Sequence, residues 1–483
     1  MGDPRIAIFG AGMAGVLSAI KLKEAGQSDF TVYEKASRLG GTWRENTYPG
    51  LGCDVPSHLY SYSFALNPNW SHRYSPGGEI QAYLERTASE HGVLPHFRFG
   101  DEVVRSRFES GRWRIETASG HRDEADIIIA ATGVLHHPKI PVFEGIESFA
   151  GAAFHSARWD HSVPLDGRRV GVIGTGSTAV QITGALVERV AKYSLFQRTA
   201  QWVMPQENPP YSEDEQSAFR SDPGLLNGLH NDLSKLFAEG FASGLVDADS
   251  PAMQAIAAAC LKNLEENVKD PELKERLRPN YRAACKRLVI SPNFYDAIQS
   301  PNAELVTAAI ERIEPRGVRT ADGRLHELDV LVLATGFRVD RFLRPIDVIG
   351  KGGVRLAEFW EKRPLAYLSV AIPGFPNLFM LNGPNGPVGN FSLIEVAEIQ
   401  FKYVEKLIDW FRSGRAREIN VSAAATEQLE AERVEAARNT IWSSGCRSWY
   451  LDDRGIPMTW PWTFERFREE MSAPKPAAYE LVA

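Results

Sequence analysis

Short apolar runs that end in a glycine cluster and then give way to helical spacing occur twice in the chain. Residues 5–9 lead into Gly10-Ala11-Gly12-Met13-Ala14-Gly15, with apolar positions at helical intervals through Lys23. Residues 169–173 lead in the same way into Gly174-Thr175-Gly176-Ser177-Thr178-Ala179. Each pattern predicts a strand, a tight turn and a helix. Each is answered later by a run of Ile, Val and Leu that ends in Ala-Thr-Gly, at residues 127–133 and 330–336. Runs without polar alternation predict parallel strands covered on both faces. The predicted fold class is α/β, with two nested Rossmann-like dinucleotide-binding domains. The first would comprise residues 1–140 and 337–483, and the second residues 150–330. Residues 211–282 interrupt the alternation of strand and helix and predict a helical insertion, either surface decoration or part of a substrate lid. Within it, Ser250-Pro251 and Asp270-Pro271-Glu272 are residue types that cap and open helices. Further helices are expected at 391–412 and around 427–438.

Composition narrows the class. A length of 483 residues, 43% hydrophobic and 24% charged, gives ample material for a core. The net charge of −7 has the wrong sign for binding nucleic acid, and no Lys/Arg-rich stretch appears. No apolar run reaches the roughly 18 residues of a membrane span, and glycines interrupt the one signal-like segment, residues 6–22. The four cysteines, Cys53, Cys260, Cys285 and Cys446, show neither CxxC nor metal-ligand spacing. That pattern fits a reducing compartment, with cytoplasm the default, and argues against a thiol–disulfide active site. No metal site is expected.

The chemistry of the two glycine motifs is set by the residue that closes the following strand. Glu34 and Arg198 both stand 24 residues after the first glycine of their motif. A carboxylate at that place accepts hydrogen bonds from ribose hydroxyls and repels a 2′-phosphate, so the first half takes FAD or NAD. A guanidinium, with Thr199 beside it, can grip a 2′-phosphate, so the second half takes NADPH. In both halves the pyrophosphate would rest on a helix N-terminus. An FAD half enclosing an NADPH half implies hydride transfer from nicotinamide to flavin.

The sequence resembles the type I Baeyer-Villiger monooxygenases, class B flavoprotein monooxygenases, over nearly its whole length. Phe149-Ala150-Gly151-Ala152-Ala153-Phe154-His155-Ser156-Ala157-Arg158-Trp159-Asp160 fits the family pattern FxGxxxHxxxW(P/D). Gly40-Gly41-Thr42-Trp43, Tyr48-Pro49-Gly50 and Cys53-Asp54 are similar to the segment that wraps the flavin, although Arg44-Glu45 replace an aromatic pair, which puts substrate-side contacts in question. Cys285-Lys286-Arg287 and Gly383-Pro384-Asn385-Gly386 continue the resemblance.

The resemblance implies an NADPH-dependent flavoprotein monooxygenase that inserts one atom of O2 into a ketone, giving an ester or lactone by way of a C4a-peroxyflavin. The alternative is oxidation of sulfur or nitrogen in a small molecule. Arg287 and Asp54 are the implied catalytic pair, since a permanent cation suits a peroxide anion and the oxyanion of its adduct. The expected FAD contacts are Gly10, Gly12, Met13, Ala14, Gly15, Glu34, Lys35, Gly41, Thr42, Trp43, Asp54, Tyr60, Val103 and Asn390. Those of NADPH/NADP+ are Gly174, Thr175, Gly176, Ser177, Thr178, Gln181, Arg198, Thr199, Lys286, Arg287 and Trp449. His155 is given a structural part in coupling the two domains. The expected partners are the ketone and O2, with no nucleic acid or membrane, and the protein is expected to be a monomer or weak homo-oligomer.

Overall fold

The apolar runs form strands because each is covered on both faces. All four residues of β1 (Ile6–Phe9) are buried, as are those of the two strands that precede Ala-Thr-Gly. The computed structural model describes residues 3–389 and 391–483. In chain order the strands of its two parallel sheets are β1, β2 (Phe30–Glu34), β3 (Phe97–Phe99), β4 (Ile127–Ala130), β5 (Ala152–His155), β6 (Arg169–Ile173), β7 (Lys192–Phe196), β8 (Ala303–Val306), β9 (Val330–Leu333) and β10 (Leu378–Met380).

The first sheet has the order β10-β4-β1-β2-β3 and the second β8-β7-β6-β9-β5. All pairings in both are parallel. The sheets are thus built alike: the motif strand sits at the centre, flanked by the strand that ends in Glu34 or by the one that runs into Arg198. On the other side lies the strand before Ala-Thr-Gly. They differ in the origin of the fifth strand. In the first sheet it is β10, late in the chain, whereas in the second it is β5, which precedes the motif. The segment around His155 is therefore a strand, paired in register from Ala152 opposite Val330 to His155 opposite Leu333.

The helix after each motif, α1 (Met13–Glu24) and α2 (Ser177–Leu186), lies on its own sheet, and α3 (Leu393–Arg412) packs against α1. The chain crosses between sheets twice, and the two crossings run side by side. Lys139 N donates to Gly336 O at 2.8 Å, Arg338 N donates to His137 O at 2.8 Å, and Thr335 Oγ1 donates to Lys139 O at 2.6 Å. Helices Glu213–Ser221, Pro223–Leu236, Pro251–Asn267 and Pro271–Leu277 fill the segment predicted to be helical. Ser250 and Asp270 act as its caps, accepting from Met253 N at 3.2 Å and Leu273 N at 2.6 Å. The helix expected around 427–438 is Ala423–Ala437 and begins earlier, because Ser422 accepts from Ala425 N and caps it there. No described helix is long and apolar enough to cross a membrane.

Candidate active site

The glycines of the first motif divide by task. A Cβ on Gly10, whose φ is +99°, would collide with the carbonyl of Ala131, and one on Gly15 with the carbonyl of Gly10. These two are glycines because backbone packs on backbone. A Cβ on Gly12, the N-cap of α1, would meet only Gly41 Cα at 3.6 Å. Packing therefore gives Gly12 no reason to lack a side chain; approach by a ligand does. With Met13 and Ala14 opening the helix, the turn offers free N–H groups to a pyrophosphate, and this cradle fits FAD.

Glu34 ends β2 and is buried. Its carboxylate accepts from Ala11 N and Ala36 N, each at 2.9 Å, and pairs with Arg44 Nη1 at 2.9 Å. Arg44 thus turns back to the carboxylate that ends β2. Lys35 pairs with Glu45 at 3.7 Å. Thr42 is exposed at the start of a short helix, and Trp43 Nε1 donates to the Tyr60 hydroxyl at 3.2 Å. Val103 is buried in the antiparallel meander beside the first sheet, opposite Thr117. Asn390 lies outside the described residues.

The second motif repeats the logic. A Cβ on Gly174 (φ +133°) would collide with the Ala334 carbonyl, while one on Gly176, the N-cap of α2, would meet nothing within 4 Å. Ser177 and Thr178 form the first turn, and Thr175 Oγ1 donates to Thr199 O at 2.9 Å. Arg198 is exposed just beyond β7. Burial, and then the charge of Arg198, hold the Lys286 ammonium below its usual range. Lys286 Nζ also lies 4.5 Å from the centre of the Tyr281 ring. No described residue supplies either cation with a carboxylate partner. Adjacent unpaired cations fit the phosphate that distinguishes NADPH. Gln181 is engaged otherwise: its Oε1 accepts from the Tyr48 hydroxyl at 2.8 Å and its Nε2 donates to Gly52 O at 3.0 Å. It joins α2 to the flavin-side segment.

The two halves meet at a charged pair. Arg287 Nη2 lies 2.6 Å from Asp54 Oδ2. Burial works against the guanidinium charge, but Asp54 and the Tyr450 hydroxyl more than offset it and raise the Arg287 pKa above its usual value. Trp449 stacks on Tyr450, with ring centres 4.0 Å apart, and both line a largely apolar cleft with Val134, Phe342, Val388 and Met458. His155 caps a short turn by accepting from Ala157 N at 3.1 Å and meets Phe337 edge-on. It therefore touches the second crossing. Trp159 packs edge-on against Phe154.

Spacing gave no sign of one covalent link: Cys285 and Cys446, 161 residues apart, form a disulfide, while Cys53 and Cys260 are free. Sequence reasoning also passed over Arg44 as the partner of Glu34 and Tyr450 as the neighbour of Arg287. The one local signal for Tyr450 was its place beside Trp449.

Comparison with known proteins places this geometry. Residues 3–239 match the model of the flavin-binding monooxygenase-like family. An uncharacterized monooxygenase of Mycobacterium tuberculosis is 48% identical, the match covering 99% of this chain and 96% of that protein. A Baeyer-Villiger monooxygenase of Streptomyces coelicolor is 38% identical, covering 99% of this chain and 92% of the relative. The crystal structure of OTEMO in complex with FAD and NADP superposes with a TM-score of 0.89 at 25% identity, covering 100% of each chain.

Proposed function

We propose that this chain, which belongs to the Baeyer-Villiger monooxygenases of the flavin-binding monooxygenase-like family, inserts one oxygen atom of O2 beside the carbonyl of a ketone to give an ester or lactone. It is an NADPH-dependent flavoprotein monooxygenase, and FAD and NADPH are its cofactors. The observation that carries the ketone reading is the Arg287–Asp54 pair, set where residues from both cofactor folds converge.

Bound at these two folds, FAD and NADPH would supply hydride transfer and the activation of O2. The residues then act on charge and position. Gly12 leaves room for the flavin pyrophosphate, with Gly41 packed on its backbone, and Glu34 offers its carboxylate to ribose hydroxyls while Arg44 balances its charge. Arg198 and Lys286 hold the 2′-phosphate of NADPH. Arg287 remains cationic at any working pH and stabilises the negative charge that develops on the reacting oxygen and then on the carbonyl oxygen. Asp54 orients it and accepts one of its five N–H donors, leaving others for the reacting oxygens. The apolar cleft lined by Trp449 and Tyr450 adjoins this pair through Tyr450.

The test supplies the holoenzyme with NADPH, O2 and, in parallel, a panel of ketones and a thioether, and measures products by mass spectrometry. Esters or lactones heavier than the ketone by one oxygen are expected, and sulfoxide alone would favour heteroatom oxidation. Arg287→Ala should bind both cofactors yet lose oxygenation by about 10²- to 10³-fold, the cost of removing one preorganised donor. Wild-type coupling of product to NADPH in that variant would remove Arg287 from the reaction.

A further inference from the structure

Arg287 is held from two sides, and only one of them is the expected carboxylate. A Cβ placed on Gly389 would run into the Tyr450 hydroxyl and lie 3.1 Å from Arg287 Nη1, so phenol and guanidinium share one side of that backbone. The guanidinium is bound to Asp54 on one side and has the phenol oxygen as its near neighbour at Gly389. Tyr450 is 3% exposed. Its ring lies 5.5 Å from that of Trp442 and 4.0 Å from that of Trp449. Met458 N donates to its backbone carbonyl, and with Leu245, Met253, Ile256 and Leu288 it forms a separate apolar core under the helical insertion. The Cys285–Cys446 disulfide ties the segment before Tyr450 to the residue two places before Arg287.

We propose that Tyr450 is a positioning residue for Arg287, its phenol oxygen fixing the guanidinium opposite Asp54, with the disulfide holding the two segments in register. The choice of a phenol has a physical reason. A second carboxylate would orient the guanidinium equally well but would cancel the charge the reaction needs. A neutral acceptor orients the cation and leaves its charge intact. Because the phenol is carried on rigid aromatic packing, the guanidinium is restrained without a flexible partner having to be ordered.

The proposal rests on the reading of Arg287 given above, and the test separates the two. Tyr450→Phe, Tyr450→Leu, Cys446→Ser and Arg287→Ala would be compared as holoenzymes, by peroxide released per NADPH oxidised with a converted ketone, by melting temperature, and by a crystal structure of the Phe variant. Tyr450→Phe keeps the ring, so its melting temperature should stay at the wild-type value. Its peroxide leak should nevertheless rise about tenfold, the loss of one hydrogen bond to a charged group. Tyr450→Leu should leak as much, and in the Phe structure the guanidinium should leave its place beside Gly389. Cys446→Ser keeps the phenol and should show a smaller rise. If Tyr450→Phe couples like wild type with Arg287 unmoved while Arg287→Ala uncouples, Tyr450 does not position it and the proposal fails alone. If Arg287→Ala also couples normally, both readings fall. Wild-type behaviour of Cys446→Ser would remove the disulfide from the device.

Discussion

At the scale of single residues, the proposed choice of cofactor turns on the position 24 residues after the first glycine of each motif. Glu34 and Arg198 occupy equivalent places, and the structure gives them opposite surroundings. Glu34 is buried and already engaged by Ala11 N, Ala36 N and Arg44, whereas Arg198 is exposed beside Lys286. Arg198→Ala should therefore weaken NADPH by about 10- to 150-fold, the range of a charge-assisted contact of about 1.5–3 kcal/mol, and leave NADH nearly unchanged. Titration of each nucleotide against both proteins checks this; equal losses would place Arg198 away from the phosphate. Arg198 was legible in the sequence because a fixed count from the glycine motif finds it. Arg44 was not, since nothing in the spacing of Gly41-Thr42-Trp43-Arg44 says that its side chain turns back to β2. Tyr450 was hidden for the same reason: it meets Arg287 across 163 residues of chain.

At the scale of elements, the two Ala-Thr-Gly turns explain why each motif begins with a glycine. Each turn presents a carbonyl, of Ala131 or Ala334, against the first glycine of its own motif. Gly12 and Gly176 have no such neighbour, which suits the pyrophosphate proposed to lie there. Gly12→Val should consequently fold with wild-type far-ultraviolet dichroism but purify colourless, because β-branching fills the pyrophosphate path. Gly10→Val should fail to fold at all. A yellow, flavin-loaded Gly12→Val protein would move the flavin elsewhere. Strand and helix identity was legible wherever burial on both faces made the sequence uniformly apolar, and the caps Ser250 and Asp270 were legible because capping is local. The strand β5 was not: Ala152-Ala153-Phe154-His155 has no pattern of its own and becomes a strand only by pairing with β9, far along the chain.

At the scale of the whole molecule, burial of histidines ties stability to pH. His58 is fully buried against Tyr211 and Phe219, and neither ring nitrogen has a hydrogen-bond partner. Burial, with a smaller contribution from His230, lowers its pKa to about 4. His136, near the first crossing, is lowered to about 4 by burial first and His137 next. The unfolded chain protonates these rings near their ordinary pKa of about 6.5, while the folded one stays neutral. Between roughly pH 6.5 and 4 the unfolded state thus binds more protons, and stability falls as pH falls. Melting temperature should decline through that window, and His58→Phe, which suits the aromatic surroundings, should flatten the decline. Parallel slopes for the two proteins would show that His58 is charged in the fold.

The origin of β5 bears on where the chain can be cut. A fragment beginning at the second glycine motif would lose the strand that covers β9 and expose a row of unpaired backbone groups on an apolar edge, which invites aggregation. To keep that edge closed, any excised nucleotide-binding piece must begin before Ala152. Genetic dissection, domain exchange between relatives and circular permutation therefore share one boundary condition: the join belongs upstream of the stretch that matches the family fingerprint, which is structurally the first strand of the module it introduces.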